Sequence, residues 1–273
     1  MDHLKDKVIV ITGAGSGFGR LVAQKSVARG AQVLALDVDR DALEVLDNEF
    51  PGMHTAVADV TQLDDLKRGV QQAVELWGRV DVMINNAGVM PLAFYSDHDK
   101  AMDAWTSCVD INFKGVLHGI AAVYDQMIAQ GRGQVINLSS IYGNFPVVGA
   151  GVYGATKAAV DFLSSSLRME AQGKIKVTTV KPTGVPGTNL GAGIVNPEAI
   201  VGILGQNAPA YSQLMQAHQA GDLPAEYTDP DHIEYYALDP EHLADQIIYV
   251  MDQPWGVAIS EITVRASGDA YIL

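Results

Sequence analysis

The feature that most limits the fold is an alternation of short apolar runs with longer amphipathic ones. Residues 7–12 (KVIVIT), 31–37 (AQVLALD), 54–59 (HTAVAD), 80–85 (VDVMIN) and 133–139 (GQVINLS) are short and rich in Val and Ile, and they read as strands. Residues 17–29, 40–49, 62–77 and 102–130 carry helical spacing. Strands buried on both faces and separated by helices form a parallel sheet with right-handed crossovers. The alternation resumes with a helix at 152–172, a strand at 174–181 (KIKVTTVK), a helix at 240–251 and a strand at 258–264 (AISEITV). The expectation is one doubly wound α/β domain of Rossmann type over residues 1–273, with about seven strands. One stretch breaks the pattern: 183–239 is rich in Gly, Pro, Ala and Gln, and so long an excursion inside a compact domain predicts a lid or substrate arm.

Charge and composition remove several function classes. Lys and Arg number 18 against 32 Asp and Glu, a net charge of −14 that opposes nucleic acid and anionic membranes. No Lys or Arg occurs from Pro182 to Val264, so the arm is a poor receiver of anions, including an acyl carrier. No run reaches the roughly 18 to 20 apolar residues of a membrane span, and the opening MDHLKDK lacks the apolar run of a signal peptide. Cys108 stands alone, which excludes an intramolecular disulfide and suits a reducing, cytoplasmic setting. No metal-ligand spacing occurs, and the acidic stretch 229–236 reads as a solvated loop.

The turn after the first strand, ITGAGSGFGR, opens the first helix. Gly13, Gly17 and Gly19 let the backbone turn sharply and approach a ligand, and the helix start offers N–H groups to a pyrophosphate. A tight connection alone would use the same glycines. Asp37 ends the second strand, 18 positions after Gly19, where a carboxylate accepts hydrogen bonds from a ribose and repels a 2′-phosphate. That favours NAD over NADP. Asp59, expected at the end of the third strand, suits an adenine contact, although either acid alone could be a helix cap or loop charge. Tyr153 and Lys157 are four apart and share one helix face; by spacing alone they also fit an exposed face whose lysine stem covers the ring.

In order along the chain, TGAGSGFG (12–19), NNAG (85–88), DIN with Asn112, NLSS with Ser140 and YGATK (153–157) resemble the motifs of the short-chain dehydrogenase/reductase family in its compact form. The resemblance runs through nearly all of 5–182 and resumes at the last helix and strand. It implies an NAD(H)-dependent oxidoreductase interconverting a secondary alcohol and a ketone, with Asn112, Ser140, Tyr153 and Lys157 as the catalytic set. Tyr153 would exchange the proton, Ser140 would hydrogen-bond the reacting oxygen, and Lys157 would favour the phenolate and hold the nicotinamide ribose. Asn112 would hold a water leading from Lys157 to solvent. Ser16, Phe18, Val60, Asn86 and Gly88 are assigned to the cofactor with the glycine loop, and Asn85 to strand support.

After the sixth strand the segment KPTGVPGTNL departs from the family pattern: Pro182 fits, but Thr183 holds the glycine position and Thr188 comes one residue late. Val185 and Thr188 are therefore the looser nicotinamide contacts. The long arm suggests a bulky neutral substrate, alicyclic or steroid-like, with Met90, Ile141, Tyr142, Phe145, Val147 and parts of 202–215 as pocket lining or core. The alternatives are a 3-oxoacyl reductase and a non-catalytic dinucleotide sensor. Family members commonly form tetramers through the helices at 102–130 and 152–172 and the last strand; the terminal AYIL fits burial there or a fold back onto its own chain.

Overall fold

The structure, a computed structural model, describes residues 2–271. Seven strands, β1 (Val8–Thr12), β2 (Gln32–Asp37), β3 (Met53–Val57), β4 (Val82–Asn85), β5 (Gly133–Leu138), β6 (Ile175–Pro182) and β7 (Glu261–Val264), form one sheet in the order β3-β2-β1-β4-β5-β6-β7. All six pairings are parallel. The order reverses direction at β1, so a crevice opens between the C-terminal ends of β1 and β4, where doubly wound sheets bind ligands.

Strand alternation divides the core between the two faces. Ile9 and Ile11 pack under α1 (Gly17–Ala28), α2 (Arg40–Glu49) and a distant α10 (Pro240–Met251). Val8 and Val10 pack on the other face under α3 (Leu63–Trp77), α5 (Gly115–Ala129) and α6 (Gly151–Glu170). The helix expected over 102–130 is two: α4 (His98–Cys108) and α5 join through a π-helical turn, Val109–Lys114, that carries Asn112. The third strand ends at Val57, two residues before Asp59. Asp59 N–H turns away to donate to the Asp65 carboxylate (3.0 Å) in the first turn of α3, which ends the ladder. The last strand begins at Glu261 instead of 258, because a turn holds the preceding stretch: Val257 N–H donates to Pro254 (2.9 Å), and Lys176 Nζ to Val257 O (3.0 Å).

The arm after β6 contains α7 (Ile200–Leu204), α8 (Ala208–Ala220) and α9 (Ala225–Thr228) with intervening 3-10 turns. It is not a free flap. Ala199, Ile203 and Leu204 pack in one buried cluster with Leu92, Ile141 and Tyr153, which seats the arm on the head of α6. Among the described residues no helix is long and apolar enough to cross a membrane.

Candidate active site

The glycine loop is fixed by close backbone approach. A Cβ on Gly13 (φ +65°) would lie 2.8 Å from Ala87 Cα, and one on Gly19 only 2.2 Å from Gly13 O. No larger residue fits at either position, against the backbone just beyond β4 or the loop's own carbonyl. The loop is tied to the next strand by Asn86, whose Nδ2 donates to Thr12 O and Gly13 O (both 3.0 Å). Ser16 precedes α1 without capping it through its side chain, and no acid lies in the first turn, so the positive end of the helix faces the crevice unopposed.

A cavity of about 330 Å³ lies there, walled by Gly13, Ser16, Gly17 and Phe18 on one side and by Asn86 and Gly88 on another. Asp37, Asp59 and Val60 close its far end. Asp37 Oδ2 accepts from Gly15 N–H (2.8 Å) and Oδ1 from Asp39 N–H (3.0 Å), which fixes the carboxylate and leaves one lone pair on each oxygen for a ligand hydroxyl. The next residue, Val38, is 64 % exposed, and no Lys or Arg lines the cavity. Asp59 Oδ1 accepts from Thr61 N–H (2.8 Å), and the Val60 carbonyl meets a His118 ring nitrogen at 2.9 Å. The glycine cradle, the uncapped helix start and the fixed carboxylate together fit a dinucleotide.

Phe18, Thr188 and Leu190 also line a second cavity, of about 410 Å³, whose floor holds Ser140 and Tyr153. Ser140 follows β5 in extended backbone (φ −162°), and its hydroxyl accepts from Tyr142 N–H (3.3 Å). Tyr153 and Lys157 stand one turn apart on α6, only 4 % and 5 % exposed, so the exposed-face alternative is set aside. Lys157 Nζ donates to Leu138 O (2.8 Å) and lies 5.7 Å from the Tyr153 ring centre. Burial pushes the Tyr153 phenol up to about 12, opposed by the Ser140 hydroxyl beside it. Burial also lowers the Lys157 ammonium to about 8, opposed by the nearby Asp161 carboxylate.

Asn112 lies behind this pair. Its Oδ1 and Lys157 Nζ would sit 3.3 and 3.6 Å from a Cβ on Gly88, so Gly88 lies directly against both groups. Its carboxamide is committed to Val89, accepting from the N–H and donating to the O at 2.9 Å each. Sequence reasoning missed Thr156, which lies between the two: its hydroxyl donates to Tyr153 O (2.7 Å) and accepts from Asn112 Nδ2 (3.3 Å). Its only signal was its place inside YGATK, one residue before the lysine. Asn85 joins neighbouring strands as expected, donating to Asn137 Oδ1 (2.8 Å).

Pro182, at the end of β6, and Val185 and Thr188 beyond it line the second cavity. Thr188 reaches the glycine loop despite its late position: its Cβ lies 3.7 Å from where a Gly17 Cβ would be. Thr183 is buried, and its Oγ1 has no partner among the described residues. Of the expected lining, Met90 and Tyr142 reach the cavity, whereas Ile141, Phe145 and Val147 pack in the cluster beneath the arm. Tyr211, within 202–215, is in the wall, and so is Tyr271, which no local signal marked. Tyr271 folds back onto its own chain; Ile272 and Leu273, the rest of AYIL, lie outside the described residues.

The family profile described as short chain dehydrogenase matches residues 7–199. An uncharacterized oxidoreductase of Staphylococcus saprophyticus is 31% identical over 99% of this chain and 100% of its own length. A second, from Listeria monocytogenes, is 34% identical over 96% of both chains. Among solved structures, a closed form of serine dehydrogenase complexed with NADP+ is similar at TM-score 0.76 and 26% identity over 94% of each chain. A short chain dehydrogenase/reductase from Burkholderia phymatum in complex with NAD is similar at TM-score 0.73 and 25% identity, over 96% of this chain and 90% of that one.

Proposed function

Because the chain belongs to the short chain dehydrogenase family and is an oxidoreductase of that type, we propose that it interconverts a secondary alcohol and a ketone with NAD(H). The observation that carries this reading is the shared wall: Phe18, Thr188 and Leu190 join the glycine-loop cavity to the one floored by Ser140 and Tyr153. The chemistry supplied by a bound nicotinamide is the giving or taking of hydride.

The chain's own residues handle the proton. With its phenol raised to about 12, Tyr153 is protonated near neutrality and suited to give that proton to a ketone oxygen as the carbon is reduced. Ser140, beside it, donates a hydrogen bond to the same oxygen and offsets its growing negative charge. Lys157 is an ammonium below about pH 8 and stabilises the phenolate left behind. In oxidation Tyr153 takes the alcohol proton instead. The Asn112 carboxamide, held by Val89, serves as a fixed support behind Lys157.

The preference for NAD rests on Asp37 and on the neutral Val38 beside it, since a 2′-phosphate there would meet a carboxylate and no cation. Replacing Asp37→Ala together with Val38→Arg is expected to move the preference toward NADPH; an unchanged ratio of kcat/KM values would sink this assignment. The substrate is a neutral alcohol or ketone, bulky enough to use the arm, because the second cavity is lined by apolar and hydroxyl-bearing side chains without a charge. Its neutrality also weighs against a 3-oxoacyl substrate on a carrier. A pure sensor would have no use for Ser140, Tyr153 and Lys157 buried together. Exposed Leu117, Phe162 and Met169 on α5 and α6 support the further proposal of a homotetramer, and the single cysteine, Cys108, supports a cytoplasmic setting.

The test is NADH consumption by the purified protein with neutral ketones from small aliphatic to steroid-sized. The wild type turns over at least one class, and Tyr153→Phe loses roughly 10²- to 10⁴-fold in kcat. Full activity in Tyr153→Phe would overturn the mechanism.

A further inference from the structure

The wall of the second cavity contains four tyrosines, and their hydrogen bonds do not balance. Tyr142 donates to Ile203 O (3.3 Å), which uses its only proton. Tyr153 lies beside Ser140 at the reacting end. Tyr211 and Tyr271 meet hydroxyl to hydroxyl at 3.3 Å, and neither has another partner among the described residues. Two phenols bring two protons to one hydrogen bond, so one donor is left over. Both rings are half-buried, and apart from the Ser140, Thr183 and Thr188 hydroxyls the remaining side chains of the lining offer mostly apolar surface, so a ligand that fills the cavity is the natural acceptor for the spare proton.

The pair is held in place by the chain end folding over the arm. Gly184, at φ +60°, presses its Cα against the Tyr271 ring so closely that a Cβ would come within 2.3 Å of it. Asn207 Nδ2 donates to Ala270 O (2.9 Å), and Tyr271 N–H donates to Asp269 (3.2 Å). Asp269 in turn holds Arg265 in an ion pair, so the nearest guanidinium is already matched. Burial pushes the Tyr271 phenol well above its usual range, which keeps it a neutral donor.

We propose that the Tyr211–Tyr271 hydroxyl pair selects the substrate, donating a hydrogen bond to a second, uncharged oxygen function remote from the carbon that exchanges hydride. The substrate class is then a hydroxyketone, diketone or the matching diol, and a plain hydrocarbon ketone of the same shape leaves the donor unmatched. The inference rests on the oxidoreductase reading above, and it narrows that reading. A donor left without a partner favours a ligand that brings an acceptor over an isostere that lacks one.

The experiment uses matched pairs: 4-hydroxycyclohexanone with 4-methylcyclohexanone, and a bicyclic hydroxydecalone with its methyl analogue. Binding to the protein with NADH present is read by thermal shift and tyrosine fluorescence, and turnover is read separately by NADH loss. The wild type is expected to favour an oxygenated member by roughly 3- to 10-fold, the range of one neutral hydrogen bond. Because either phenol alone keeps a free donor, Tyr211→Phe and Tyr271→Phe each retain part of the preference and the double variant loses it. A merely structural pair would weaken both members of each set equally and leave the ratio untouched. Equal affinity of the wild type for both members, or a preference that survives in the double variant, overturns the inference even if every ketone is reduced. A preference erased by the double variant without turnover of any ketone upholds the inference about the pair while the proposed reaction fails.

Discussion

The two cavities meet at Phe18, Thr188 and Leu190, yet their walls are built differently. Around the glycine loop the wall is backbone against backbone, and a methyl group on Gly19 would enter the Gly13 carbonyl at 2.2 Å. In the second cavity the wall is mostly side chains, and Gly191 in that wall has nothing within 4 Å of its missing Cβ. Where backbone meets the ligand, space dictates residue identity; where side chains meet it, many sequences serve. The first kind of wall leaves a motif in the sequence and the second does not.

The contrast is broken most directly with a pair of equal substitutions. Gly19→Ala drives a methyl group into the Gly13 carbonyl and the Asn86 side chain, which displaces the loop, and is expected to weaken NADH binding by roughly tenfold or more. Gly191→Ala adds the same methyl group to open space and is expected to change binding and stability by less than about 0.5 kcal/mol. Fluorescence titration with NADH checks both. Comparable damage from the two would mean that the wall at Gly191 is as tightly coded as the loop.

A second difference is electrostatic. The floor below Tyr153 holds a buried ammonium, whereas the wall of the arm cavity carries no charge. Lys157 titrates near 8 in the folded chain, below its ordinary 10.5, so its charge opposes folding by on the order of 3 kcal/mol. Below about pH 8 Lys157 is protonated in both states and this cost is fully present. As pH rises from about 8 toward 10.5 the folded chain sheds the proton first, the unfolded chain holds more protons, and stability climbs. Between about pH 10 and 12 Tyr153 acts in the opposite sense: its phenol, raised from 10 to about 12, stays protonated in the folded chain after the unfolded chain has ionised, so stability falls as pH rises through that window. Denaturant midpoints of the wild type and of Lys157→Met between pH 7 and 10 isolate the lysine. The variant is expected to lack the climb, and parallel curves would show that the ammonium is better solvated than its burial implies.

This division also explains what could be read from the sequence. α2 and α10 begin where the helical spacing put them, because Asp39 and Asp239 cap them with side-chain hydrogen bonds to the first turn. Tyr153, Lys157, Ser140 and the glycines converge as the motifs implied, since all lie on regular elements or at their ends. The π-helical turn at Asn112 was hidden, because its widened geometry leaves the apolar spacing of the flanking helices intact. Tyr271 was hidden for another reason. Its partners, Gly184 and Tyr211, lie 87 and 60 residues away (271 − 184 and 271 − 211), and no periodicity records a contact of that kind.

Thr183 stands at the seam between the two regions and permits the finest test. It follows β6, lines the second cavity and buries an Oγ1 that has no partner among the described residues. Valine has nearly the shape of threonine without the hydroxyl. If Thr183 belongs to the packed framework, Thr183→Val removes an unmatched polar atom and raises stability by about 1 kcal/mol. That corresponds to a rise in Tm of roughly 2 to 4 °C for a chain of this size, with activity unchanged. A loss of NADH affinity without any gain in Tm would instead make the hydroxyl a ligand contact. The residue that departs from the family's glycine would then work for the cofactor, and the boundary between the backbone-coded wall and the side-chain wall would shift to include it.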